Sequence, residues 1–190
     1  RSGKLPVALK VIEERTIGPD LGADSIRAGT LAAIVATIAV ATLMIVTYGR
    51  FGVYACIALV LNVILILGVM SGIGATLTLP GIAGLVLTIG AAVDANVLIN
   101  ERIREEQRKG RNVFNSVDTG FREATRTIWD ANSLNIIVAI IMFIFGTGPI
   151  KGFAVVLSIG IATSVFTNVT VVRLMVSNWL VRTRPTALHI

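Results

Sequence analysis

Four stretches of the chain contain no Asp, Glu, Lys or Arg: residues 28–49, 51–93, 131–150 and 152–172. A helix that crosses the hydrocarbon core of a bilayer needs about 20 predominantly apolar residues, so three gaps hold one span each and the long second gap holds two. The expected fold is therefore an all-α membrane protein, a polytopic helical bundle of five transmembrane helices. Composition agrees: 15% of residues are charged, 54% are hydrophobic and the mean hydropathy is +0.82, whereas a soluble domain carries about 25% charge.

The same composition excludes other classes. Cys56 is the single cysteine and lies in an apolar run, and the only histidine, His189, stands one residue from the end. A disulfide framework, a cysteine zinc site and a thiol nucleophile all lack their parts, and no cofactor or metal is expected. The net charge of +6 does not point to nucleic acid. The basic residues sit in short stretches beside the spans, where orientation in the membrane accounts for them.

The spans are laid out as about 28–48, 52–70, 77–99, 128–145 and 152–172, inside a membrane domain at 25–182. Gly49 to Gly52, Ser71 to Gly74 and Gly146 to Pro149 read as tight turns. The chain opens on Arg1 with no signal-like segment, and Leu9 to Ile17 is β-leaning before the turn-forming Gly18-Pro19-Asp20. Residues 1–24 read as a short β-leaning tail, the end of a water-exposed domain. An odd number of spans places the two ends on opposite sides. Arg50, the bases of the 100–127 connection, Arg173, Arg182 and Arg184 gather on one side. Lys151 and the tail lie on the other, and Glu13, Glu14, Asp20 and Asp24 nearly offset the tail's bases. The connection and the 183–190 tail are expected in the cytoplasm and the N-terminal tail outside.

The connection has its own pattern. Glu101 to Glu106 extends the third span as a charged helix with Arg102 and Glu106 four apart, and Gly110 is a stop. Val113, Val117 and Phe121 then recur every four residues, which predicts an amphipathic elbow lying on the membrane surface.

An ionisable side chain inside hydrocarbon costs on the order of 2.5 to 3.5 kcal/mol by insertion scales, so each needs a reason. Asp94 lies in GAAVDANVLI, five residues before the apolar stretch ends at Ile99, roughly 7 to 8 Å inside the edge at 1.5 Å per residue. Gly90 and Ala91 sit one turn back on the same side and would let a second helix approach closely. Such a partner could bring a counter-charge or a water wire, and the carboxyl could then take up and release a proton. A packing role or a permanent ion pair is the competing reading. Asp130, with Arg126 four residues before it, is placed at the start of the fourth span as a helix cap or interfacial ion pair. Asp94-Ala95-Asn96 recurs as Asp130-Ala131-Asn132, which nominates Asn96 and Asn132 as supporting polar groups. Asn62, Asn135, Asn168, Ser158, Ser164 and Thr167 read as interhelical hydrogen bonds, and Arg173 and Trp179 as interfacial anchors.

Three long stretches carry a family resemblance: LKVIEERTIGPDLGADSI at 9–26, PGIAGLVLTIGAAVDANVLINERIREE at 80–106, and TIWDANSLNIIVAIIMFIFGTGPIKGFAVVLSIGIATSVFT at 127–167. In them the chain resembles the SecD family of bacterial protein-export subunits, itself similar in fold to the resistance-nodulation-division transporters. The resemblance implies spans two to six of a six-span half, in the inner membrane, following a large exported domain. It implies SecF, the SecYEG channel with its SecA motor, YajC, membrane lipid and exported unfolded polypeptide as partners. It also implies that the proton gradient promotes late steps of export, with Asp94 as the essential aspartate of the VDAN motif. Asn100, Asn135 and Asn168 depart from the family's usual residues. A proton-coupled small-molecule exporter of the same fold is the alternative. An intramembrane aspartyl protease using Asp94 and Asp130 is disfavoured, since its two carboxylates must share one water. An inert scaffold is the remaining reading.

Overall fold

A computed structural model describes residues 19–75, 77–185 and 188. The β-leaning segment at 1–18 lies outside these residues. Five helices are long and apolar enough to cross a membrane, and among the described residues there is no strand.

Helix α1 runs Pro19–Tyr48. It starts earlier than the expected end of the tail at residue 24, because proline suits the first helical position, where its missing N–H is no loss. Gly49 ends it with φ 53°, a left-handed conformation that glycine adopts without steric penalty. Helix α2, Arg50–Gly72, begins at the next residue. The turn expected over Gly49 to Gly52 is thus a single residue. Gly52 serves another purpose: a Cβ there would strike the Met44 carbonyl oxygen and lie 2.9 Å from Ile45 Cα.

Helix α3, Leu79–Arg108, is capped by Thr78, whose Oγ1 accepts from Gly81 N at 3.2 Å. It carries the expected charged extension and stops before Gly110, at φ 79°. Arg102 and Glu106, expected to pair, take other partners. Arg102 meets Glu105 at 2.7 Å, and Glu106 turns inward to meet Lys109 at 2.7 Å and Arg111 at 2.8 Å. Glu106 and Glu105, accepting from the Lys109 ammonium, hold its pKa above the ordinary lysine value.

Helix α4 is continuous over Val113–Phe145, with Asn112 Oδ1 accepting from Asn115 N at 2.9 Å. Its 33 residues span about 50 Å at 1.5 Å per residue, longer than the hydrocarbon core. This corrects the expected surface elbow. No proline interrupts 113–127, and Val117, Phe121, Ala124 and Ile128 are buried within the bundle rather than laid on lipid. Gly120 permits that contact, since a Cβ there would lie 2.8 Å from Ile103 N.

After Gly146 and Thr147, helix α5 runs Gly148–Phe166, a π-helical segment follows at Thr167–Val172, and α6 completes the rod at Arg173–Thr183. The π segment, TNVTVV, is almost all β-branched, residues that lose χ1 freedom in an α-helix. Helix α5 lies at the centre, packed on α3, α4 and α2, while α1 rests on the outside against α2 and α3.

Candidate functional site

Asp94 lies on the outward side of α3, in line with the exposed residues Ala83, Leu87 and Gly90. These recur at intervals of four, three and four, so they form one stripe along the helix. Among the described residues nothing lies within 4 Å of where a Gly90 Cβ would stand. The close approach expected at Gly90 is therefore not made by this chain's own helices, and Ala91 is half-buried to one side. Among the described residues Asp94 has no hydrogen-bond or ion-pair partner.

Towards the loop end the stripe continues as Leu98, Glu101, Glu105 and Arg108, which with Arg102 line a depression of about 330 Å³. Its rim is tied to α1. Tyr48 Oη donates to Glu101 Oε1 at 2.9 Å, Arg104 Nη1 meets the same carboxylate oxygen at 2.6 Å, and Arg104 Nη2 donates to Thr47 O at 3.3 Å. The Arg104 guanidinium also lies 5.2 Å from the Tyr48 ring centre, within the range of cation–π attraction.

Asn96 faces the opposite way and is 2% exposed. Its Nδ2 donates to Ala92 O at 3.1 Å and to Asn168 Oδ1 at 3.0 Å, while Asn168 Nδ2 donates to Ala92 O at 3.1 Å and Ser164 Oγ at 3.2 Å. Asn168 belongs to the π segment, so this amide pair joins the widened turn to α3, an interhelical bond of the kind expected. Widened turns of this sort concentrate at functional sites. The sequence reading missed it, although the run of β-branched residues around Asn168 was its signal.

Other polar residues are placed differently from expectation. Asp130 is in the middle of α4 and exposed, so it caps nothing, and among the described residues it makes no ion pair with Arg126. The reason is the unbroken helix through 113–145. Asn132 is half-buried and donates to Ile128 O at 2.8 Å on its own helix. Both Asp-Ala-Asn repeats thus put the carboxylate outward and turn the amide further in. Asn135 is exposed rather than interhelical, Ser158 and Thr167 bond back to their own helix, and Asn62 is fully buried with neither amide atom paired among the described residues. Arg173 meets Asp118 of α4 at 3.1 Å. Trp179 stands edge-on to Phe51 at 5.9 Å, beneath the Arg50 guanidinium.

The family described as Protein export membrane protein SecD/SecF, C-terminal, matches residues 3–181. The protein translocase subunit SecD of Acetobacter pasteurianus is 51% identical over 190 residues, covering 100% of this chain and 36% of the relative. The subunit of the same name from Calditerrivibrio nitroreducens is 55% identical over 170 residues, 90% of this chain and 33% of the relative. The chain therefore spans about a third of the length of these relatives. The crystal structure of SecDF from Thermus thermophilus, a translocon-associated membrane protein, superposes with a TM-score of 0.86 at 46% identity, over 90% of this chain and 24% of that one. With a sequence pattern matched almost from end to end and a helical bundle shared with a solved relative, the chain belongs to the SecD/SecF C-terminal family.

Proposed function

We propose that this chain is the C-terminal membrane part of a protein-export subunit of the Sec machinery, and that Asp94 carries protons whose movement down the gradient drives late steps of export. The observation that carries the reading is the position of Asp94: outward, without a partner among the described residues, on an exposed stripe of small and apolar residues. A carboxylate at that depth against bare lipid is costly. A second bundle laid on the stripe, that of SecF, relieves the cost, and the absence of a side chain at Gly90 lets it approach closely.

On this reading the depression at Glu101 and Glu105 opens to the cytoplasm and brings water within about one helical turn of Asp94, at Leu98. The N-terminal end of α1 leads to the exported domain outside. Basic residues gathered around the loop end, Arg102, Arg104, Arg108, Lys109, Arg111 and Arg122 among them, support that orientation. One elementary charge crossing 100 mV supplies about 2.3 kcal/mol, enough to bias a two-state movement of the exported domain. The channel SecYEG, SecA, YajC and unfolded client chains are the partners that belong with this activity.

The test is Asp94→Asn in the full-length protein. Folding and membrane abundance should match wild type while gradient-dependent export is lost. Export at the wild-type rate with the amide in place would remove the proton role and leave a scaffold.

A further inference from the structure

Asn96 uses both hydrogens of its amide, yet its Oδ1 is buried and has no partner among the described residues. Buried acceptors in native proteins are paired with protein or with ordered water, so this oxygen calls for a partner that the side chains do not supply. Asn96 also borders a small recess of about 10 Å³ where α1, α2 and α3 meet, walled by Ala41 and Met44, by Cys56 and Leu59, and by Val93. That volume is about the least that holds one water.

We propose that this recess binds one ordered water, which donates to Asn96 Oδ1 and bridges the foot of α1 to the turn of α3 that bears Asp94. A second polar wall is present, as a water requires. Cys56 Sγ donates to Ala41 O at 3.7 Å and both residues line the recess, so a backbone carbonyl and a weakly accepting sulfur stand beside it. The chemistry selects water over a cation. No carboxylate lines the recess: Asp94 is on the outward side of the helix, and Glu101 is engaged by Tyr48 and Arg104. A cation here would be a buried charge without compensation. Asn62, one turn beyond Leu59 on the same side of α2, keeps both amide atoms unpaired among the described residues, so the polar inner surface of the bundle continues past the recess.

Two methionines provide the test. Met44 borders the recess, whereas Met70 belongs to a separate cluster with Ile66 and Val156, and the two are equally buried at 3% and 4% exposed. Brief X-ray irradiation makes hydroxyl radicals from water in place and so oxidises residues that touch a bound water. In the full-length protein in lipid nanodiscs, prepared in heavy-oxygen water, Met44 is expected to gain the heavy label several-fold faster than Met70. Asn96→Leu, checked for folding, should bring Met44 down to the Met70 rate; if that variant does not fold, the wild-type comparison decides alone. Equal labelling of the two methionines overturns the proposal. So does fast Met44 labelling that survives Asn96→Leu. An equally selective oxidation of Met44 by hydrogen peroxide in the dark also overturns it, because that would reflect opening of α1 rather than a resident water.

Discussion

The contact between α3 and α5 and the contact between α1 and its neighbours are both helix packing in a membrane, yet they are built on opposite plans. Along α3 and α5 glycines and side chains interdigitate from both sides. Gly81 faces Val156 and Gly84 faces Phe153, while in return Gly152 faces Thr78 and Gly160 faces Thr88. Along α1 only Met44 and Tyr48 are buried among the described residues. Beyond them an almost wholly apolar groove of about 590 Å³ separates Ile34 and Ile38 from Val63, Leu67 and Leu85. Between helices in lipid there is no hydrophobic drive, so association depends on close backbone approach and on interhelical hydrogen bonds. Helices α3 and α5 have the close approach along most of their length, and hydrogen bonds join α3 to Asn168, just beyond the end of α5. Among the described residues α1 has them in its C-terminal part, through Gly52 against Met44, through Cys56 on Ala41 O, and through Tyr48 and Thr47 against Glu101 and Arg104. The element that leads toward the N-terminus is thus held at one end, and the helix that carries Asp94 is locked along its length.

Substitutions can break or sharpen this contrast. The largest effect is expected from Gly160→Val, because even its Cβ would lie 2.9 Å from Thr88 Cβ and closer still to the Thr88 methyl and hydroxyl. Overpacking of this kind costs about 3 kcal/mol. Reversible unfolding in mixed micelles should show the loss, and Thr88→Ala should restore part of it. Gly52→Ala comes next, at about 2 kcal/mol, since its methyl meets the Met44 carbonyl and the backbone has little room to yield. Spin labels on α1 and α3 should then move apart, while labels on α3 and α5 stay in place. Tyr48→Phe removes one hydrogen bond to Glu101 and should cost about 1 kcal/mol, read in the same unfolding assay. Ile34→Ala on the outer part of α1, where Ile34 is 57% exposed, should change stability by less than about 0.5 kcal/mol. A large loss there would mean that α1 is held along its length after all.

The number of spans was legible because a charge-free stretch in a bilayer has few alternatives, and the stops at Gly49 and Gly110 because a left-handed residue at a helix end favours glycine. Helix continuity was harder to read. Residues 113–127 have the composition of a surface helix, and only Gly120 against Ile103 decides that they stack on α3 and run on into the fourth span. Asp130 was misplaced for the same reason: a carboxylate at the edge of an apolar stretch marks a helix start only if the helix starts there. For Asp94 the outward direction follows from the spacing of Ala83, Leu87 and Gly90, small or apolar residues left exposed by the described helices. The pairing of Asn96 with Asn168 was beyond reach, since two amides far apart in sequence carry no sign of which will meet.

The π segment at Thr167–Val172 sets the phase of everything after it. An α-helix advances by 100° per residue, so the extra residue taken up by widened turns rotates α6 about its own axis by roughly that angle relative to an uninterrupted rod. Val176 and Leu180 point inward, and Trp179 reaches Phe51, because of where that rotation is inserted. Were the widened turn to tighten, the last eleven residues of the rod would screw round and carry Trp179 off Phe51. With Asn168 anchored to Asn96 on α3, such a twist would begin one helix away from Asp94.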